Sequence, residues 1–380
     1  MKKETPLLTA TKGTTKKKLG WFGKIILGLN WFAIIGLLIA CCAPFVSPTI
    51  FGPLAFFGLL HPVFVIINLL FLFLWTIRLR KQAFYTLAVL ILSFPYYEKQ
   101  LSIHFETAAA PKNAIKVMSY NVKLFDYYNW SGDKQARNKM FTLIKKELPD
   151  VLNLQEFFNQ DAGVFQNLDS LKKTLGLPYA HVEYTTSARK FNHWGVVTFS
   201  KYPILNQGKI VFSNRNNNIC IYTDVLINAD TIRIYNMHLQ SVNFDYSDYK
   251  FLDKVVKGED AVAEIENSKN ILRRMQLAYR KRAPQAEAIA QNISECPYPI
   301  IICGDFNDTP ISYTYNTLSN GFTDAFIESG TGLGKTLQNP LPLPRIDYIF
   351  HSKKMKSFEF KTIETKKMSD HFPIVCKIVL

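Results

Sequence analysis

Asp305 and Asn307 lie two residues apart at the end of an apolar run, Ile300–Cys303, that is closed by Gly304. Alternate residues leaving a strand point the same way, so a carboxylate and a carboxamide project together into one place. A carboxylate there can hold a hard cation or take a proton from water, and an amide can orient a phosphoryl oxygen. An isolated Gly-Asp-x-Asn is as readily a strand ending in an Asx-rich turn. Its weight comes from four similar clusters. They are Ser119-Tyr120-Asn121, Asn153-Leu154-Gln155-Glu156, Asn236-Met237-His238-Leu239-Gln240 and Ser369-Asp370-His371-Phe372-Pro373, the last preceded by Arg345-Ile346-Asp347-Tyr348-Ile349.

Each cluster has a bland reading. Gln155-Glu156 suits a solvated strand end, His238 a satisfied core histidine, Asp370 a turn cap before Pro373, and Asp347 a structural partner of Arg345. Together, each at the end of a strand-like run, they describe one site built from carboxylates, amides and imidazoles. Such oxygen-rich donors suit a hard divalent cation. The six cysteines show no Cys-x-x-Cys or Cys/His spacing, which argues against zinc, and they read as buried free thiols.

The elements that must position these residues follow from the apolar pattern. Strands are expected at Ile115–Tyr120, Val151–Leu154, Gly195–Ser200, Ile219–Ile227, Thr231–Met237, Ile300–Cys303, Asp347–Phe350 and Ile374–Leu380. Helices are expected at Lys134–Glu147 and, apart from Pro284, at Val255–Ile293, with a charged, lysine-rich insertion over Asn243–Lys281. This alternation predicts a layered α/β sandwich over residues 113–380.

The first 112 residues are of another kind. They carry 12 Lys/Arg against 3 Asp/Glu, whereas the remaining 268 carry 33 against 27. Most of the basic excess therefore flanks apolar sequence, the pattern of membrane topology rather than of a nucleic-acid footprint. Residues 1–24 form a basic tail, and from Ile25 to Ile77 no Asp, Glu, Lys or Arg occurs. That length holds two spans of about 20 residues joined by the Pro/Gly-rich Pro44–Pro53 turn. Arg78, Arg80 and Lys81 close the second, and a shorter run, Gln82–Tyr97, offers a third. A membrane region over 25–105 and a linker over 106–112 follow. Basic flanks place the tail and Arg78–Lys81 on the cytoplasmic side of an inner (plasma) membrane. If the third run spans, residues 113–380 are periplasmic or otherwise extracytoplasmic; if not, they are cytoplasmic.

Taken in order, Ser-Tyr-Asn, Leu-Gln-Glu, Asn-x-His-Leu, Gly-Asp-Phe-Asn, Arg-x-Asp-Tyr-Ile and Ser-Asp-His-x-Pro resemble the endonuclease/exonuclease/phosphatase superfamily, whose members include DNase I-like nucleases. Gly195-Val196 followed by Ser200 and Pro203 is similar to a further segment of that family. The resemblance covers residues 113–380 and implies a four-layer α/β sandwich with Mg²⁺-dependent phosphodiesterase or phosphatase activity, Mn²⁺ being a possible substitute. It makes Glu156 the main metal ligand, with Asn121 beside it and Asp370 at or near the metal. Asp305 would orient or deprotonate the attacking water, and Asn307 would hold a phosphoryl oxygen. His371, oriented by Asp347, and His238 would donate to the phosphate or the leaving oxygen.

Three departures bear on the substrate. Lys123 stands where abasic-site endonucleases typically carry an acidic residue, and His238 where they tend to use Tyr. Asp308-Thr309-Pro310 replaces the extended motif of inositol-phosphate 5-phosphatases. A generic phosphoesterase remains, acting on nucleic acid or on phospholipid head groups, with the lipid bilayer as partner of the N-terminal helices. Phe125, Tyr127, Tyr128, Trp130 and Trp194 are candidates for base stacking, and equally for core. Ser329–Thr336 imitates a phosphate-binding P-loop, but Ser329 stands where its first Gly is required and no strand precedes it. The alternative from another class is a catalytically inactive, membrane-anchored binding protein; every alignable catalytic position holds a competent residue, which weighs against it.

Overall fold

A computed structural model describes residues 20–104, 109–212, 217–242, 265–338 and 345–380. Its C-terminal part is built on two six-stranded sheets. The first has the order β11-β12-β1-β2-β4-β3, from Lys356–Thr362 (β11), Ile374–Val379 (β12), Ile115–Asn121 (β1), Val151–Gln160 (β2), Asn192–Ser200 (β4) and Tyr179–Ala188 (β3). The second has the order β5-β6-β7-β8-β10-β9, from Ile204–Ile210 (β5), Ile219–Ile227 (β6), Asp230–His238 (β7), Ile300–Asp305 (β8), Asp347–Ser352 (β10) and Phe322–Asp324 (β9). Each sheet has one parallel pair at its centre, β1 with β2 and β7 with β8, and antiparallel strands elsewhere.

The central strands are buried on both faces, which is why they read as unbroken apolar runs. Val117, Val151, Ile374 and Cys376 of the first sheet pack on Val225, Ile234, Ile301 and Ile349 of the second. The outer face of the first sheet packs on Met140, Ile144 and Leu171 of helices Ala136–Glu147 and Asn167–Leu175. That of the second packs on Ala286 and Ile289 of helix Ile265–Ser294 and on Tyr315 and Leu318 of helix Tyr313–Ser319. The result is a mixed α/β fold of four layers, as the motifs implied. Helix Ile265–Ser294 continues past Pro284, the lost hydrogen bond being offset by burial of Ala283, Ala286 and Ile289. Residues 243–264, most of the expected insertion, lie outside the described residues. No disulfide occurs among the described residues, and Cys220, Cys303 and Cys376 are buried thiols, whereas Cys42 is exposed.

The apolar N-terminal region forms α1 (Trp21–Cys42), α2 (Leu54–Leu59), α3 (His61–Ile77) and α4 (Gln82–Leu92). Among the described residues only α1, with its short extension to Phe45, is long and apolar enough to cross a membrane. The second expected span is broken at Leu60, ahead of Pro62 at the start of α3, and α4 is shorter still. A buried polar knot joins the three longer helices: Trp75 Nε1 donates to Asn30 Oδ1 at 3.0 Å, and Asn30 Nδ2 to Thr86 Oγ1 at 3.1 Å. Outward, Phe32, Leu70, Phe73, Phe84 and Ile91 are exposed.

One end of this bundle docks on the C-terminal, two-sheet part of the chain. Tyr96 Oη donates to Cys41 O at 2.8 Å, so the third apolar run ends level with the C-terminus of α1. There Phe56 meets Tyr279 edge-on at 5.5 Å, and Gly58 lies so close to the Ile311 carbonyl that a Cβ would stand 2.2 Å from it. Arg345 Nη2 donates to Lys99 O at 3.0 Å, and Ser102 forms a β-bridge with Gly332. Lys24, Arg78, Arg80 and Lys81 occupy the opposite end.

Candidate active site

The parallel pairs of both sheets end at one place, and each delivers its carboxylate differently. β2 does not stop at Leu154. It runs on to Gln160 with a bulge between Leu154 and Phe157, where Glu156 adopts a left-handed φ of 48°. A bulge re-aims the residues it contains, so Glu156 turns toward the site while Gln155 stays between the sheets. Gln155 Nε2 donates there to Asn236 Oδ1 at 2.7 Å, and Asn236 Nδ2 to Val197 O at 2.9 Å. The amides of the Asn-x-Gln-Glu and Asn-x-His clusters thus cross-link the sheets below the site. β8 instead ends at Asp305 after Gly304, whose φ of 142° and 2.2 Å approach of a notional Cβ to Met237 O leave room only for glycine.

Asp305 is fully buried and accepts from Asn121 Nδ2 at 3.0 Å and from the Asn307 backbone N–H at 2.8 Å. Asn121 Nδ2 also reaches Glu156 Oε1 at 3.3 Å, while Asn121 Oδ1 accepts from the Lys123 N–H at 3.0 Å. Asn121 therefore meets both carboxylates as a donor. Asn307, at a left-handed φ of 53°, spends its side-chain N–H groups on Leu239 O at 3.0 Å and Asp305 Oδ2 at 3.2 Å. As placed, it holds Asp305 rather than reaching outward for a phosphoryl oxygen.

Two histidines face these carboxylates. His238 Nε2 is buried without a hydrogen-bond partner, 3.6 Å from Glu156 Oε1 and 3.8 Å from Asp305 Oδ2. His371 Nδ1 pairs with Asp347 Oδ2 at 2.9 Å, and its Nε2 stands 3.6 Å from Asp305 Oδ2. Burial lifts the Asp347 carboxyl to about 6, against the opposing pull of His371. Burial acts downward on His371, but Asp347 and then Asp305 outweigh it and hold the imidazole well above its ordinary value. Asp305, Asp347 and His371 bring ligand-type atoms within 4.8 Å of one another, a group able to hold a cation. Yet most of these atoms are already engaged with one another or with Asn121 and Asn307. Glu156, partly exposed and with only long contacts to Asn121 and His238, is the freer oxygen donor. It suits a hard cation on the donor chemistry of this structure.

Asp370 lies at the edge, where its Oδ2 meets Lys123 Nζ at 2.7 Å. Burial acts upward on its carboxyl, but His371 and Lys123 outweigh it and hold it low. Lys123 begins a run of four left-handed residues, with φ of 42°, 55°, 53° and 57° through Asp126. Left-handed backbone costs about 1–2 kcal/mol per L-residue. A partly exposed ion pair contributes no more than about 1 kcal/mol; burial of Phe125 and the Ser131 N–H and Oγ hydrogen bonds to Asp126 offset part of the remainder.

Sequence patterning missed the supports of the site. Ser369 Oγ donates to Asn121 O at 2.7 Å and so ties the last motif to the first. Thr336 Oγ1 accepts from the Ile346 and Asp347 N–H groups at 3.0 and 3.1 Å. The P-loop imitation thus anchors the Asp347 segment, and it follows a helix, Ala325–Ser329. Arg345 is not the partner of Asp347; it grips Asp324, at 2.7 and 2.9 Å. Of the aromatic candidates, Phe125 is core, Tyr127 and Trp194 pack on Phe158, and Tyr128 and Trp130 are exposed.

Residues 118–371 match the endonuclease/exonuclease/phosphatase family, and residues 23–100 match a domain of unknown function. No curated protein sequence matches the chain. Among solved structures, an endonuclease/exonuclease/phosphatase family protein from Leptotrichia buccalis is 20% identical with a TM-score of 0.50, over 70% of this chain and 100% of that one. The human nocturnin catalytic domain is 17% identical with a TM-score of 0.49, over 71% and 96%. Sphingomyelinase C from Streptomyces griseocarneus is 18% identical with a TM-score of 0.47, over 70% and 99%. At such identities the likeness is one of fold. The family match spans well over half of the sequence and takes in every candidate site residue from Asn121 to His371, and by it the chain belongs to the endonuclease/exonuclease/phosphatase family.

Proposed function

We propose that this protein is a membrane-anchored, Mg²⁺-dependent phosphoesterase, and specifically a phosphodiesterase hydrolysing phospholipid head groups or nucleic acid by attack of water. The observation that carries the reading is His238 Nε2, buried and unpaired between Glu156 and Asp305. An orphaned imidazole nitrogen in a polar site is costly without a ligand, and a phosphate oxygen is the acceptor that would complete it.

Glu156 would hold the metal, with Asn121 beside it and Asp370 at the edge; when bound, the ion would offset negative charge on the phosphoryl group. Asp305, held by Asn121 and Asn307, orients the attacking water and takes its proton. The protonated His371, fixed by Asp347, and His238 donate to the phosphoryl or leaving oxygen as charge builds there.

Anchoring is supported by the helices, whose polar Asn30, Asn68 and Thr86 turn inward beside an apolar core while Phe32, Leu70, Phe73, Phe84 and Ile91 face outward. Lys24, Arg78, Arg80 and Lys81 gather at the end remote from the catalytic domain, Lys99 lies at the near end, and the third run returns to that near end beside α1. By the positive-inside rule this supports a catalytic domain outside the cytoplasm. The bundle also rests on the chain leaving the site, through Ile311, and on the chain entering it, through Arg345. A site fixed against its own anchor favours phospholipid over nucleic acid.

Hydrolysis of bis-p-nitrophenyl phosphate with Mg²⁺, in full-length wild type and in Glu156→Ala and Asp305→Ala, tests the chemistry. Unchanged rates in both variants would refute it. Sphingomyelin and phosphoinositide vesicles set against DNA and RNA test the substrate, and a reporter fused after residue 112 tests the side.

A further inference from the structure

Lys123 has no role in the reaction just described, yet the chain goes to lengths to place it. It lies two residues beyond Asn121, at the start of the left-handed run whose strain the Lys123–Asp370 pair is too weak to offset. Besides seating Phe125 in the core and setting Asp126 to accept from Ser131, the turn fixes the position of one ammonium. Lys123 Nζ lies 2.7 Å from Asp370 Oδ2 and 5.3 Å from the centre of the Trp130 ring, and the backbone N–H of the same residue holds Asn121 Oδ1. Strain of this sort is kept where surrounding structure enforces it, and it gathers at functional positions.

The carboxylates near the site divide accordingly. Asp305 is enclosed by Asn121, Asn307 and the two histidines, and Asp347 is committed to His371. Only Glu156 and Asp370 have partly exposed side chains, and a cation of the chain itself sits on Asp370. We infer that Lys123 takes the place of a second metal ion: the chain binds one divalent cation, at Glu156, and the fixed ammonium beside Asp370 supplies the site's second positive charge toward the phosphoryl oxygens. This rests on the metal-dependent reading above. A lysine is a compact charge with three donors, suited to phosphate and unable to exchange with solvent ions.

The test counts ions rather than turnover. Mn²⁺ bound per chain is measured on the full-length protein by loss of the free-ion electron paramagnetic resonance signal. Wild type is expected to bind one. Lys123→Asp, which sets a carboxylate beside Asp370, is expected to bind two, and Glu156→Gln in the wild-type background to bind none. Two ions in wild type, or one in a folded Lys123→Asp chain, would overturn the inference. Should Lys123→Asp not fold, Lys123→Met serves. Loss of ~10-fold or more in kcat/KM on bis-p-nitrophenyl phosphate supports the role; an unchanged kcat/KM with the ion count still at one overturns it. Failure here stays separable from failure of the enzyme reading. Hydrolysis with two ions per wild-type chain rejects only the lysine's role, whereas one bound ion without hydrolysis rejects only the enzyme.

Discussion

The two sheets reach the site by opposite devices. In the first, the functional residue itself carries the unusual backbone, since Glu156 sits left-handed in a bulge and stays partly exposed. In the second, the unusual backbone belongs to Gly304, and Asp305 beside it is relaxed, fully buried and enclosed by donors. An exposed carboxylate with loose contacts is free to bind something that comes and goes. A buried one with fixed donors is committed to one orientation. On the function proposed above, this contrast divides the labour between a cation-holding side and a proton-handling side.

The largest effect should come from the two carboxylates. Asp305→Asn and Glu156→Gln should each lower kcat/KM by about 10³-fold or more. They should part on Mn²⁺ affinity, which collapses in Glu156→Gln and stays close to wild type in Asp305→Asn. Equal losses of affinity in both would erase the proposed division. Next comes Gly304→Ala. Its Cβ would meet a backbone carbonyl of the neighbouring strand in a conformation closed to alanine, and a loss of about 3 kcal/mol in chemical denaturation is expected. A wild-type midpoint in that variant would show that β8 can deliver Asp305 without glycine.

This contrast also explains what could be read in advance. The central strands of both sheets were legible because burial on two faces leaves an unbroken apolar run. Edge strands such as Ile204–Ile210 and Tyr179–Ala188 were not, because exposed polar residues break the pattern. The site residues were legible by type and order, but not by how they are aimed. The Glu156 bulge has no composition signal, and the amide ladder through Gln155 and Asn236 looks on paper like part of the active chemistry. The supporting roles of Thr336 and Ser369 escaped altogether, since a hydroxyl bonded to a distant backbone group leaves no periodic mark. In the N-terminal part the uncharged stretch showed an apolar bundle, while the break at Leu60 and the docked end depend on tertiary contacts.

Away from the site the sheets also meet through a histidine, and here the logic is reversed. His181 of β3 pairs with Thr223 of β6 at 2.8 Å, and burial, opposed by Glu183, lowers its imidazole to about 4. It is neutral in the folded chain, whereas the unfolded chain takes up its proton near the ordinary value. The stability it confers is therefore complete above about pH 6.5 and declines as pH falls toward 4, by roughly 3 kcal/mol. His181→Asn should remove that portion of the acid sensitivity, measured as the difference between variant and wild-type denaturation midpoints at pH 7 and pH 4.5. Parallel pH profiles would mean that His181 is no such joint.

At the site the same side chain is pushed the other way, and Asp347→Asn isolates the cause. Asp347 and then Asp305 hold His371 protonated well above its ordinary range. With Nδ1 bound to Asp347, Nε2 can donate to a phosphate only while the ring carries both protons. Activity should therefore persist through neutrality and fall as pH rises through the folded-state value. Replacing Asp347 by Asn removes the leading upward pull and keeps the shape. The alkaline limb of kcat/KM should then move toward the ordinary histidine range, with a loss of about 10–100-fold at pH 8. The loss should shrink as pH is lowered, because acid restores the proton that Asp347 no longer retains. A loss that is uniform across pH would assign Asp347 to orientation alone and leave the proton-handling side resting on Asp305.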